Sequence, residues 1–235
     1  MADLAPLALV TGVGPGTGSA IVRRFAAEGY RIAMIARDGA RLAALEAELP
    51  GARAWPCDVG DGHALLSGLD AVVAGMGTPD VVVHNAVGGA FGTFRDIEAA
   101  TLLANFQVNT MALLHLAQRL APAMVERGAG AFVVTGNTSA LRGRANFAGF
   151  APTKAAQRIL AEALARDLGP KGVHVAYVVI DAVIDVPWTR QRFSEAPDDF
   201  FIKPAAIADE IWHVVSQDRS AWSFNVEVRP FRETW

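Results

Sequence analysis

The stretch Thr11-Gly12-Val13-Gly14-Pro15-Gly16-Thr17-Gly18 constrains this chain more than any other. The apolar run Leu7-Ala8-Leu9-Val10 leads into it, and a helical pattern from Ser19 to Glu28 leads out. An apolar run that breaks into glycines and then takes a helical period reads as strand, tight turn and helix. Glycine lets the backbone come close to a ligand, and the unpaired N–H groups at a helix start face an anion. The arrangement therefore suits a diphosphate. The G-x-G-x-x-G dinucleotide fingerprint is not met, because Thr17 stands where its third glycine would fall. The same residues also suit an ordinary tight turn without a ligand.

Strand and helix patterns alternate along the rest of the 235 residues with no long linker, which favours one α/β domain. With 52% apolar residues the chain can build a sizeable core, and a formal charge of −3 with scattered Lys and Arg argues against nucleic acid or an anionic membrane. Cys57 is the sole cysteine, so no intrachain disulfide can form and a reducing compartment is expected. Met1 to Pro6 lacks a basic region ahead of an apolar stretch, and no apolar run is long enough to span a bilayer. A cytoplasmic protein without a metal site is the expectation.

In order, strands are expected at 7–10, 31–36, 52–55, 81–83, 131–135, 173–180 and 222–228. Helices are expected at 17–27, 39–49, 99–127, 151–168 and 205–216, with Pro122 kinking or breaking the third. Asp58 can cap a helix starting near Asp61, and His84 after the fourth strand reads as a satisfied structural histidine. His115 reads as an interface or core residue. The stretch 187–204 carries Trp188, Phe193, Phe200 and Phe201 among charged residues. It reads as a lid that either closes on an apolar or aromatic substrate or packs on its own core or a second subunit.

The T-G-x-x-x-G-x-G spacing of Thr11, Gly12, Gly16 and Gly18, together with Asp58-Val59, Asn85-Ala86, Asn109 and Lys154, resembles the short-chain dehydrogenase/reductases over nearly the whole chain. The resemblance implies a Rossmann-type doubly wound parallel sheet of seven strands in a single domain, 1–235. It implies an NAD(P) cofactor whose diphosphate lies on Gly12, Gly14, Gly16, Thr17 and Gly18. Asp58 would accept from the adenine amino group, with Val59 against the ring. Asn85 and Ala86 would line the floor, Lys154 would hold the nicotinamide ribose, and the Ile184 backbone would hold the carboxamide. After the second strand Ala36 replaces the acid that would bond the ribose hydroxyls of NAD, and Arg37 follows. A guanidinium pairs bidentately with a phosphate, so NADP is favoured over NAD unless Arg37 is only a solvated surface charge.

The family's catalytic signature is Tyr-x-x-x-Lys opening a helix, which puts both side chains on one face. This chain has Phe150-Ala151-Pro152-Thr153-Lys154. Phe150 has no hydroxyl and does no proton chemistry. The family's serine lies thirteen residues before the Tyr, which here is Asn137, with Thr138 and Ser139 beside it. Asn109 matches the family's active-site Asn, whose backbone carbonyl holds a water near the Lys. Tyr30 and Tyr177 lie at or in expected strands and do not replace the missing hydroxyl. Asp181-Ala182 replaces the family's Pro-Gly, and Val186 its Thr. The resemblance thus implies hydride transfer to or from a small apolar carbonyl, alcohol, imine or activated alkene. Lys154, Asn109, Asn137 and Thr138 would surround the reacting atoms, with Phe150 at the Tyr position. The alternative is a catalytically silent NAD(P)-binding protein. A homodimer or homotetramer through the helices at 99–127 and 151–168 is implied by resemblance as well.

Overall fold

The computed structural model describes residues 5–233. Residues 1–4 and the last two, Thr234 and Trp235, lie outside the described residues. The chain runs β1 (Leu7–Thr11), α1 (Thr17–Ala27), β2 (Arg31–Ala36), α2 (Gly39–Glu48), β3 (Ala52–Pro56), α3 (Gly62–Met76) and β4 (Val81–His84). It continues with α4 (Ala99–Phe106), a π-helical turn (Gln107–Met111), α5 (Ala112–Arg127), β5 (Gly130–Asn137), α6 (Ala151–Leu168) and β6 (Val173–Ile180). The last part is β7 (Val183–Ile184), α7 (Pro187–Arg192), β8 (Phe201–Ile202), α8 (Pro204–Val215) and β9 (Asn225–Val228).

Seven strands form one sheet in the order β3-β2-β1-β4-β5-β6-β9, and every neighbouring pair is parallel. This is the expected Rossmann-like α/β architecture. Parallel strands are covered on both faces, so they read as continuous apolar runs, and β1, β4 and β6 are buried along their whole length. One face packs against α1, α2 and α8 through residues such as Phe25, Leu42 and Ile211. The other packs against α3, α5 and α6 through Leu69, Leu116 and Leu168. The chain leaves β1 toward β2 and β3 and then crosses back to β4. A crevice therefore opens beyond the carboxyl ends of β1 and β4, where open α/β sheets bind ligands.

Three local expectations change. The helix expected over 99–127 passes through Pro122 without ending, and its irregularity is the π-helical turn at Gln107–Met111. The last strand starts at Asn225 rather than Trp222. The lid is structured: it contains α7, and β8 pairs in parallel with β7 as a small second sheet. His115 packs inside the chain, its ring against the start of α3, where a Cβ on Gly62 would lie 2.9 Å from Nε2.

Candidate functional site

The crevice begins at the turn after β1. Gly12 takes φ +74°, and a Cβ there would lie 2.4 Å from the Ala86 backbone. A Cβ on Gly18 would lie 2.3 Å from the Gly12 carbonyl oxygen. Both positions need glycine on steric grounds alone. Gly14 turns its polar atoms inward: its N–H donates to the Gly12 carbonyl at 2.8 Å, and its carbonyl accepts from the Ser19 N–H at 3.0 Å and the Ser19 hydroxyl at 2.6 Å. The N–H groups of Thr17 and Gly18, which open α1, have no acceptor among the described residues. The Thr17 hydroxyl is buried and has no hydrogen-bond partner among the described residues. Val186 packs against Gly16 from the opposite wall.

At the β2 and β3 ends, Arg37 is exposed and makes no ion pair among the described residues. The neighbouring Asp38 is committed elsewhere: it accepts from the Arg41 N–H at 3.0 Å to cap α2 and pairs with the Arg41 guanidinium at 2.9 Å. Asp61, not Asp58, caps α3, accepting from the N–H groups of His63 and Ala64 at 3.0 Å each. Asp58 accepts from the Gly60 N–H at 2.9 Å and stays exposed, while Val59 is buried.

The floor at β4 is a side-chain network. Asn85 donates to the Gly12 carbonyl at 2.8 Å and accepts from the Thr135 hydroxyl at 3.1 Å, tying β4 to its neighbours on both sides. His84 accepts from the Thr11 hydroxyl at Nδ1, 2.8 Å, and donates from Nε2 to the Val108 carbonyl at 3.2 Å. A carbonyl only accepts, so the proton sits on Nε2. Burial, helped by the Lys154 charge, lowers its pKa to about 4, and the ring is neutral. His84 is the satisfied structural histidine that was expected.

The β5–α6 end holds the densest polar cluster. Phe150 is the N-cap residue of α6 and Lys154 follows one turn on, so both side chains lie on the same side of the helix. Lys154 is 2% exposed, and its amine donates to the Thr135 carbonyl at 3.0 Å and to the Gln157 carboxamide oxygen. Burial lowers its pKa to about 7. Gln157 in turn donates from Nε2 to the Asn109 carbonyl at 2.7 Å. The Tyr177 hydroxyl, reaching from β6, donates to the same Gln157 oxygen at 3.3 Å. The Asn109 side chain donates to the Gly88 carbonyl and the Thr153 hydroxyl at 2.8 Å each, fixing the π-helical turn to the β4 loop and to α6.

Asn137 makes no hydrogen bond to Lys154 among the described residues; its carboxamide oxygen accepts from the Ser139 N–H at 3.1 Å and caps the turn of Thr138 and Ser139. Phe150 is buried, and Phe91 lies edge-on to both it and Phe147, with ring centres 6.3 and 5.2 Å away. Asp181 is 7% exposed at the end of β6, with one carboxylate oxygen lacking a partner. The Ile184 carbonyl accepts from the Thr189 hydroxyl, which also takes the Val186 N–H at 3.1 Å. Of the lid aromatics, Phe193, Phe200 and Phe201 pack on one another, with centroids 5.5 and 5.1 Å apart. Only Trp188, 61% exposed, stands clear. For three of the four rings the lid is its own core. Asp185 anchors it, paired with Arg190 and Lys203 at 2.6 Å each, and those cations hold its carboxyl well below the usual range.

Of the residues expected in the site, the structure bonds Asn85 to the Gly12 carbonyl and links Lys154 to the Asn109 carbonyl through Gln157. Sequence reasoning missed Gln157, Phe91 and Phe147. A polar residue three positions after a helical lysine shares its face, and that spacing is the one signal that could have pointed to Gln157.

The fold and its switch-point crevice define a Rossmann-like α/β protein. Residues 6–196 match the short chain dehydrogenase family, and the chain belongs to that family. Among similar proteins, the L-xylulose reductase of Bos taurus is 29% identical over 224 residues, covering 91% of this chain and 90% of that one. The 7alpha-hydroxysteroid dehydrogenase of Escherichia coli K12 is 29% identical, covering 75% and 71%. Among solved structures, a metagenomic short-chain oxidoreductase in complex with NADP superposes with a TM-score of 0.83 at 28% identity, covering 96% and 97%. A short-chain dehydrogenase from Streptomyces avermitilis gives 0.86 at 27%, covering 97% and 89%. These relatives are oxidoreductases acting on small molecules. Among the described residues, no helix is long and apolar enough to cross a membrane, and no cluster of His, Cys, Asp and Glu is arranged to hold a metal.

Proposed function

We propose that the protein is an NADP(H)-dependent oxidoreductase with an atypical active site, moving hydride to or from a small apolar carbonyl, alcohol, imine or activated alkene. One observation carries the reading: unbonded amides at the start of α1 and an unpartnered, buried Thr17 hydroxyl meet at the sheet's switch point. These residues fit a dinucleotide diphosphate. Arg37 supports NADP, because its guanidinium has no ion-pair partner among the described residues and the neighbouring carboxylate of Asp38 is spent on Arg41. A relative from Sus scrofa, 30% identical, is a carbonyl reductase [NADPH] 2.

In this reading Gly12, Gly16 and Gly18 let the backbone approach the diphosphate, which the Thr17 and Gly18 amides bind, and Gly14 shapes the turn. Asp58 and Val59 hold the adenine, and Asn85 and Ala86 form the floor. Lys154 holds the ribose, and the Ile184 backbone receives the carboxamide. When bound, the nicotinamide supplies or accepts the hydride. The chain must supply orientation and the proton. Phe150 brings no hydroxyl and Asn137 caps its own turn, which leaves Thr138, Ser139 and the Lys154 amine. A placed general acid is worth roughly a hundredfold to ten-thousandfold, so plain ketones are poor substrates and an imine or activated alkene suits the site better. Phe91, Phe147 and Phe150 present an apolar wall that fits such a molecule. The protein works in the cytoplasm as a homodimer or homotetramer, and exposed Leu103 on α4 and Ile159 on α6 support that contact.

Phe150 also favours a second reading, a catalytically silent NAD(P)-binding protein. Calorimetry with NADPH, NADP⁺ and NADH, followed by turnover on ketones, imines and enones, separates the two. Tighter binding of NADPH than NADH, with imines or enones turned over faster than ketones, is the expected result. Binding without turnover selects the silent protein, and no affinity for any dinucleotide overturns both.

A further inference from the structure

We propose that Gln157 is the positioning residue of this site: its carboxamide, wedged between the Lys154 amine and the Asn109 carbonyl, excludes water behind the amine and aims it into the crevice. The inference rests on the reading of Lys154 as the ribose-holding group.

The Gln157 side chain is fully buried, so its polar atoms must be satisfied inside the protein. Their assignment follows from the partners. The Asn109 carbonyl cannot donate, so Nε2 faces it, at 2.7 Å, and the oxygen faces Lys154 and Tyr177. Asn109 lies in the π-helical turn, a helix irregularity of a kind frequent at functional sites. Gln157 covers its carbonyl, the atom that the family resemblance assigned to a water.

The consequence for Lys154 is specific. Two of its N–H bonds are spent, on the Thr135 carbonyl and on Gln157. As an ammonium it has one N–H left for a sugar hydroxyl; as a neutral amine it has only a lone pair there. Both fixed acceptors are neutral, and no carboxylate contacts the amine among the described residues. Of the other titratable groups nearby, His84 from β4 is neutral, and burial pushes the Tyr177 phenol from β6 upward, so it is neutral too. Arg158 on α6 acts on Tyr177. The π-helical turn brings Asn109 and no charge. The amine's protonation therefore responds to the one acceptor a substitution can change.

Lys154, Lys171 and Lys203 are the chain's three lysines, and the last two are about half exposed and ion-paired. In protein labelled with ¹³Cε-lysine, Lys154 is read directly as the signal that titrates lowest. Gln157→Leu is expected to lower its titration midpoint, and Gln157→Glu, which adds a countercharge, to raise it by about one unit or more. In both variants the pH at which NADPH affinity falls should move with it. If Gln157→Leu fails to fold by circular dichroism, Gln157→Glu against the unsubstituted protein carries the test. A midpoint that neither variant moves, or that both move the same way, overturns the proposal. The titration uses cofactor-free protein, so a failure of dinucleotide binding is seen separately from a failure of this inference.

Discussion

The two ends of the crevice are made of different material. At the β1–α1 turn the ligand-facing groups are main-chain amides, and their direction is enforced by sterics: Gly12 against Ala86, Gly18 against the Gly12 carbonyl. At the β5–α6 end the polar groups are chiefly side chains, Lys154, Gln157 and Tyr177, linked to one another and to the Asn109 main-chain carbonyl. A main-chain site persists as long as the fold does, so Thr17 can stand where the fingerprint calls for glycine. A side-chain site changes with each residue. A chain of this kind can therefore inherit binding with its fold while its chemistry drifts.

The largest effect expected from this contrast lies at the main-chain end. Gly18→Val puts a branched Cβ where 2.3 Å separates it from a carbonyl oxygen, and the turn must open. NADPH affinity should fall by about a hundredfold or more, as for loss of an anion site built from backbone. Calorimetry reads it, and retained affinity would break the comparison. At the other end a single side chain should add rather than remove. Phe150→Tyr places a hydroxyl one helical turn from Lys154, and ketone reduction should rise by roughly a hundredfold, the lower range for a placed general acid. NADPH oxidation measured with a ketone panel tests it; an unchanged rate means the side-chain end has been rebuilt for something else.

A smaller effect sharpens the contrast within the main-chain end. Arg37, exposed at the adjoining end of β2, is the side chain on which the proposed preference for NADP rests. Arg37→Ala should weaken NADPH about tenfold and leave NADH unchanged, as removal of one exposed phosphate contact does. Equal losses for both dinucleotides would make Arg37 a general surface charge.

What the sequence made legible follows the same division. Continuous apolar runs marked the five inner strands, because a parallel strand inside the sheet is buried on both faces and its pattern is local; the edge strands β3 and β9, Ala-Arg-Ala-Trp-Pro and Asn-Val-Glu-Val, are partly exposed and carry a weaker pattern. The glycine turn was legible because sterics leave so few alternatives. The side-chain end was half legible. Lys154 and Asn109 were reached through the family resemblance, which matches their motifs. Gln157 was not, since its role depends on the π-helical turn that brings the Asn109 carbonyl to it, and nothing in Gln107-Val108-Asn109-Thr110-Met111 announces that turn. Asp61 was passed over as the cap of α3 because Asp58 stood close by, and two aspartates three residues apart look alike until the N–H partners are known. The lid aromatics were ambiguous for a similar reason: a phenylalanine that faces a substrate and one that faces another phenylalanine have the same surroundings in sequence.

The smallest effect concerns stability, and it tests whether the side-chain end is held at a cost. Its buried Lys154 lies at about 7 against 10.5, and His84 on the adjoining floor at about 4 against 6.5. In both cases the folded chain resists a proton that the unfolded chain accepts. The unfolded state therefore binds more protons between pH 4 and 6.5 through His84, and between pH 7 and 10.5 through Lys154. Stability rises with pH in each window. Lys154→Met keeps the volume and removes the amine, so it should raise the urea midpoint at pH 7, with the gain shrinking as pH climbs toward 10.5. The same variant should lose affinity for NADPH. Urea titrations at pH 7 and pH 9.5 decide it. A gain that is the same at both values would mean that the amine is not held against its proton, and that the side-chain end is as indifferent to its residues as the main-chain end.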